Sequence, residues 1–207
     1  MSLVMFDYDG VIANSLDAHV KSFLAAFHEN GFTKLNTPQD IINLYENNVY
    51  QSMAELGLSE ERIDLILASY KIRQDKLLDQ IGFFDHVAEI LDQISLNHKI
   101  YIITSNMAEA VQTVLDKNDV IGVEAVMGSE RSKSKVKKIR MAMALYPDLT
   151  PYYVGDTKGD IYEGKRAGTI TVGAAWGWHG PEKLRESSPD HLIYQPDELV
   201  ELLERAK

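Results

Sequence analysis

Apolar residues along this chain change period several times, and the changes mark its elements. Leu3-Val4-Met5-Phe6 is a short unbroken apolar run closed by Asp-Tyr-Asp-Gly, the pattern of a strand buried on both faces of a parallel sheet. The period then becomes helical: Leu16, Val20, Phe23, Leu24 and Phe27 recur every three or four residues, and Asn30-Gly31 supplies a stop. Thr37-Pro38-Gln39-Asp40 combines a capping hydroxyl, a proline at the first helical position and an acid three residues after the cap. Ser59-Glu60-Glu61 opens a long helix through Ile63, Ile66, Leu67, Tyr70 and Leu77. Residues 15–80 therefore predict helices and no strand.

Past Gly82 the two periods alternate. A helix built on Val87, Ile90, Leu91 and Ile94 runs into Lys99-Ile100-Tyr101-Ile102-Ile103, a second buried strand. Helix (Val111, Val114, Leu115), strand (residues 123–127), helix (Val136, Ile139, Met143) and strand (Tyr152-Tyr153-Val154) follow. Another helix leads to Thr169-Ile170-Thr171-Val172, and Leu192-Ile193-Tyr194 precedes a C-terminal helix. Such alternation with short links predicts right-handed βαβ units and a parallel sheet. The expected fold class is α/β, a Rossmann-like parallel sheet with helices on both faces plus an inserted α-helical domain. The core would comprise residues 1–14 and 81–207 and the insertion residues 15–80, with hinges at residues 10–15 and 80–84.

Charge and composition narrow the partners. Twenty-one bases against 31 acids give a formal charge of −10, which argues against nucleic acid or an anionic membrane surface as partner. The absence of cysteine excludes disulfides, thiolate zinc sites and cysteine nucleophiles together. No apolar run approaches the ~18 residues of a membrane span, and no leader pattern precedes the first strand. A cytoplasmic protein, monomer or homodimer, is expected.

Parallel sheets bind ligands beyond the carboxyl ends of their strands, so the residues just after each predicted strand carry the candidate chemistry. These are Asp7 and Asp9; Thr104-Ser105-Asn106; Gly128-Ser129 and a basic stretch; and Gly155-Asp156-Thr157-Lys158-Gly159-Asp160. Each has a plain alternative. An acid at a strand end can be a helix cap, and Thr-Ser-Asn is ordinary turn chemistry. Residues 131–140, six cations and no acid, read first as a solvated helix face. The conjunction is what tells: each strand of the central block ends in residues suited to handling phosphate. Several converging carboxylates would repel one another without a cation between them, and Mg²⁺, hard and oxygen-seeking, is the natural one.

The chain resembles the haloacid dehalogenase superfamily of phosphohydrolases, specifically the phosphoglycolate phosphatase and β-phosphoglucomutase-like members with a helical cap after the first strand. Asp7-Tyr8-Asp9-Gly10-Val11 is similar to the first motif, Thr104-Ser105-Asn106 to the second and residues 155–160 to the fourth. Trp176-Gly177-Trp178 and Pro189-Asp190-His191-Leu192-Ile193 also fit the family pattern. The third motif, a lysine at a helix start, could be Lys135 or Lys133. Lys135 matches a short approach to the Ile139 helix and is slightly favoured; Lys133 matches a longer one.

The resemblance implies a Mg²⁺-dependent phosphatase acting on a small phosphate ester. Asp7 would be the nucleophile that forms an aspartyl-phosphate. Asp9 would protonate the departing oxygen and later activate water. Asp7, the Asp9 carbonyl and Asp156 would hold Mg²⁺, with Asp160 steadying the site. Thr104, the Ser105 amide, Gly10, Asn106 and the lysine would surround the phosphate. An acid two residues after the nucleophile favours phosphate esters over carbon–halogen bonds, because halide departs without a proton. Residues 15–80 would be the cap, with Tyr45-Glu46-Asn47-Asn48 as a candidate substrate-reading segment and Lys71, Arg73 and Lys76 more simply a solvated face. His179 could line the entrance, with a structural role the plainer reading. The rivals are a phosphomutase of the same architecture, a receiver-type domain that accepts phosphate on Asp, and a non-catalytic binding protein.

Overall fold

The computed structural model describes residues 1–77 and 81–205, so Gln80, at the expected second hinge, lies outside the described residues. The chain divides into two compact units, one of Met1–Asn14 with Phe83–Lys207 and the other of Ser15–Gly82.

The first unit is built on six parallel strands: β1 (Ser2–Phe6), β2 (Lys99–Ile103), β3 (Ala125–Met127), β4 (Thr150–Gly155), β5 (Ile170–Ala174) and β6 (His191–Ile193). Their order is β3-β2-β1-β4-β5-β6, with Phe6 beside Ile102 on one side and Val154 on the other. Every residue of β1 is buried, as a central strand covered on both faces requires. β3 is shorter than the 123–127 expected. It is an edge strand, and Gly122 beside Ser95 precedes it without joining the ladder.

From β1 the chain steps outward to β2 and β3, then returns across β1 to β4. The carboxyl ends of β1 and β4 therefore flank the switch point, where such a sheet leaves a crevice.

The second unit contains α1 (Leu16–Glu29), α2 (Pro38–Asn43), α3 (Val49–Glu55) and α4 (Glu60–Asp75), with a 3₁₀ turn at Leu44–Glu46. Phe23, Ala26 and Phe27 of α1 share its core with Ile63, Ile66 and Tyr70 of α4. The Thr37–Asp40 capping box forms as the sequence indicates, and Ser59 caps α4. α4 ends before the predicted Leu77, whose amide instead closes a turn onto Gln74 O. His19 is buried among this unit's aromatics. Its Nδ1 is hydrogen-bonded to Tyr70 Oη at 2.8 Å and its Nε2 to Tyr45 Oη at 2.7 Å. Burial lowers its pKa to about 3, so the ring is neutral. Arg73 ion-pairs with Glu29, whereas Lys71 and Lys76 are exposed.

The remaining helices belong to the sheet unit: α5 (Val87–Ser95), α6 (Ala108–Lys117), α7 (Lys135–Leu145), α8 (Lys158–Ala167), α9 (Gly180–Glu186) and α10 (Asp197–Arg205). Right-handed crossovers place α5 and α6 on one face and α7 to α9 on the other. In agreement, Ile139 and Ala142 of α7 and Ala167 of α8 pack with Leu3, Met5, Tyr101 and Tyr153. Among the described residues, no helix is long and apolar enough to cross a membrane.

Candidate active site

Asp7 is the first residue beyond β1, and its amide donates to Val154 O at 2.9 Å, continuing the ladder to the crevice. Asp156 is the first residue beyond β4 and is fully buried. Asp160 lies in the first turn of α8. Asp7, Asp156 and Asp160 each bring an oxygen within 4.8 Å of the others. Two glycines admit this crowding. A Cβ on Gly10 would overlap Asp156 Oδ2, and one on Gly177 would overlap Asp156 Cβ. Gly10 also sits at φ +79°, a left-handed conformation that favours glycine.

Lys135 opens α7 and reaches into the cluster, donating to Asp7 Oδ2 at 2.8 Å and Asp160 Oδ1 at 2.7 Å. Lys133, the other candidate, is exposed. Asp160 is held from four directions. Its Oδ1 also accepts from Tyr153 Oη at 3.2 Å, while its Oδ2 accepts from the Thr157 amide at 3.2 Å and hydroxyl at 2.5 Å. Asp160 thus belongs both to the α8 capping box with Thr157 and to the carboxylate cluster. Asp156 differs: Oδ2 accepts from the Trp178 amide at 2.7 Å, but buried Oδ1 has no hydrogen-bond partner.

Burial pushes the Asp7 carboxyl up, Lys135 pulls it back, and Asp160 and Asp9 push it up again, to about 8. Burial, then Asp160 and Asp7, hold Asp156 well above the usual carboxylate range. Asp160 moves the other way, because Lys135, Thr157 and Tyr153 outweigh its own burial. Burial opposes the charge on Lys135, but Asp160 and Asp7 hold its pKa well above the ordinary lysine value. One lysine faces three buried carboxylates, and one carboxylate oxygen is unsatisfied. The all-oxygen donor set and that orphan acceptor fit a hard divalent cation such as Mg²⁺.

The expected second motif lies alongside. Thr104 follows β2, is fully buried, and its hydroxyl accepts from the Asn106 amide at 3.0 Å. Ser105 is exposed beside it. Asn106 Nδ2 donates to Asp9 Oδ2 at 2.6 Å, tying the second motif to the second acid of the first.

Two features, Lys138 and the Tyr153 hydroxyl, escaped the sequence reading. Lys138, within the stretch read as a solvated face, is fully buried and donates to Thr104 O and Gly128 O. Burial, then Lys135, lower its pKa to about 8. The available signal was the stripe Lys135, Lys138, Ile139, Ala142, whose spacing is that of a single buried helix face. The Tyr153 hydroxyl was hidden in a strand that reads as apolar. His179 is buried and accepts the Lys158 amide at Nδ1, 2.9 Å away.

Residues 4–174 match the family described as haloacid dehalogenase-like hydrolase. A pyrophosphatase PpaX of Listeria innocua is 25% identical, the alignment covering 98% of this chain and 96% of the relative. PpaX of Anoxybacillus flavithermus is 24% identical over 98% and 97%. Among solved structures, a "predicted phosphatase" from Clostridium acetobutylicum superposes with a TM-score of 0.84 at 19% identity, covering 98% of each chain. A hydrolase from Pseudomonas syringae gives 0.84 at 16% identity, covering 99% of each.

Proposed function

From the premise that the chain belongs to the haloacid dehalogenase-like hydrolases, we propose that this phosphatase hydrolyses a small phosphate monoester in two steps through an aspartyl-phosphate on Asp7. The observation that carries the reading is the buried Asp7–Lys135–Asp160 network beside the orphan oxygen of Asp156. A carboxylate can serve as a covalent nucleophile toward phosphorus, and Lys135 orients that of Asp7. In the first step an Asp7 oxygen forms a bond to phosphorus as the ester oxygen departs, taking a proton from Asp9. In the second, Asp9 removes a proton from water, whose oxygen displaces Asp7 and releases inorganic phosphate. Asn106 holds Asp9 during both transfers. Lys135, Thr104 and the Ser105 amide stabilise charge on the phosphoryl oxygens.

Mg²⁺ would be held by Asp7, Asp156 and the Asp9 carbonyl, with Asp160 steadying Lys135. When bound it supplies the positive charge that lets a dianionic phosphate approach an ionised carboxylate. Residues 15–80 would form the cap that excludes water from the reaction.

The test is inorganic phosphate release across a panel of small phosphate esters with added Mg²⁺ and again with excess EDTA. The similarity to pyrophosphatases adds inorganic pyrophosphate to that panel. Mg²⁺-dependent release from at least one ester is expected. Undiminished release in EDTA from dialysed protein rejects the metal role, and transfer of phosphate between sugar hydroxyls without release points instead to a phosphomutase.

A further inference from the structure

The segment after β5 makes three separate bonds into the site. Trp176 Nε1 donates to Val11 O at 3.1 Å, beside the loop that carries Asp9 and Gly10. The Trp178 amide donates to Asp156 Oδ2 at 2.7 Å. His179 Nδ1 accepts the Lys158 amide at 2.9 Å, at the first helical residue of α8. Gly177 lies between, too close to Asp156 and Gly10 O for a side chain. None of these groups touches Asp7 or Lys135 in the bonds described; the Trp178 and His179 bonds hold the two ends of the loop 156–158 on which Asp156 stands, and the Trp176 bond ties the same segment to the loop after β1.

We propose that residues 176–179 form a clamp that sets cation affinity, with His179 as its positioning residue. This rests on the Mg²⁺ reading above. By engaging Asp156 Oδ2, the clamp determines where the unpartnered Oδ1 is presented. The imidazole anchors the other end of the same loop, because the Lys158 N–H has no acceptor within the first turn of its own helix. An acceptor at Nδ1 places the ring proton of neutral His179 on Nε2. In this role the ring acts through geometry, by holding the Lys158 amide. Groups that orient metal ligands from behind typically change affinity ~10- to 100-fold when removed.

Isothermal titration of Mg²⁺ into the full chain, with no substrate present, tests the clamp, and metal-free thermal melts follow folding. His179→Ala should weaken Mg²⁺ binding ~10-fold. His179→Asn, whose side-chain carbonyl can accept the same amide, should recover most of it. Gly177→Ala provides an independent variant, because its methyl displaces Asp156 even with the imidazole in place, and it too should bind Mg²⁺ more weakly. Wild-type affinity in both alanine variants overturns the clamp, as does His179→Asn binding no better than His179→Ala. A wild-type chain that binds no Mg²⁺ overturns the metal reading and the clamp together; a wild type that binds beside unaffected variants overturns the clamp alone.

Discussion

Two buried polar clusters, one in each unit, are built in opposite ways. In the helical unit, His19 is enclosed by Phe23, Tyr45 and Tyr70, remains neutral, and has both ring nitrogens satisfied by tyrosine hydroxyls. In the sheet unit, Asp7, Asp156, Asp160 and Lys135 are enclosed together and leave an acceptor open on Asp156. The first is a finished network whose contribution is to stability. The second concentrates like charge at a cost of several kcal/mol per desolvated ion, the arrangement expected where the proposed chemistry takes place.

The largest expected effect breaks the sheet-unit network at its centre. Asp7→Asn should abolish phosphate release, because the amide cannot act as the nucleophile; retained wild-type turnover would reject covalent catalysis. Next, Lys135→Ala should lower kcat ~100-fold, whereas Lys133→Ala, which removes an exposed charge, should stay within a few-fold. Circular dichroism of each variant separates this from unfolding, and the reverse ranking would return the role to Lys133.

The helical unit should answer to acid instead. The His19 pKa falls from 6.5 to about 3 on folding, so below 6.5 the unfolded chain binds a proton that the folded unit does not. Stability is full above that value and declines as pH falls toward 3, by up to ~1.4 kcal/mol per pH unit. Urea midpoints followed at resolved Val20 and Ile66 methyl resonances should show this slope, and His19→Gln should flatten it. The smallest effect sharpens the same contrast: Tyr45→Phe should cost ~1 kcal/mol in that unit, read at the same resonances.

These contrasts also show what the sequence could and could not reveal. Asp7, Asp156 and Asp160 were legible because a parallel sheet collects its strand ends, so position along the chain becomes position in space. The strands were legible as apolar runs, although β3 begins only at Ala125. Spacing favoured Lys135 over Lys133 only slightly, because the choice depends on the residue at which α7 begins; Ser134 caps it, and Lys135 is buried. Lys138 was concealed by an assumption of solvation that holds for most lysines. The Tyr153 hydroxyl was invisible for another reason: it lies in a strand that reads as apolar, and only the fold turns it toward Asp160.

The crossing between the units has a consequence for chain entropy. Ala13 pairs with Phe83 in an antiparallel bridge, and the Phe84 amide donates to Ile12 O at 3.0 Å. The insertion therefore leaves the sheet unit and re-enters it at a single point. To the sheet, everything between is one loop with a fixed mouth. Closing such a loop costs only ~0.6 kcal/mol more for each doubling of its length. A scaffold with that mouth can host inserts of very different size at nearly constant cost, leaving Asp7 and Asp9 on the same strand end whatever is carried beyond Asn14.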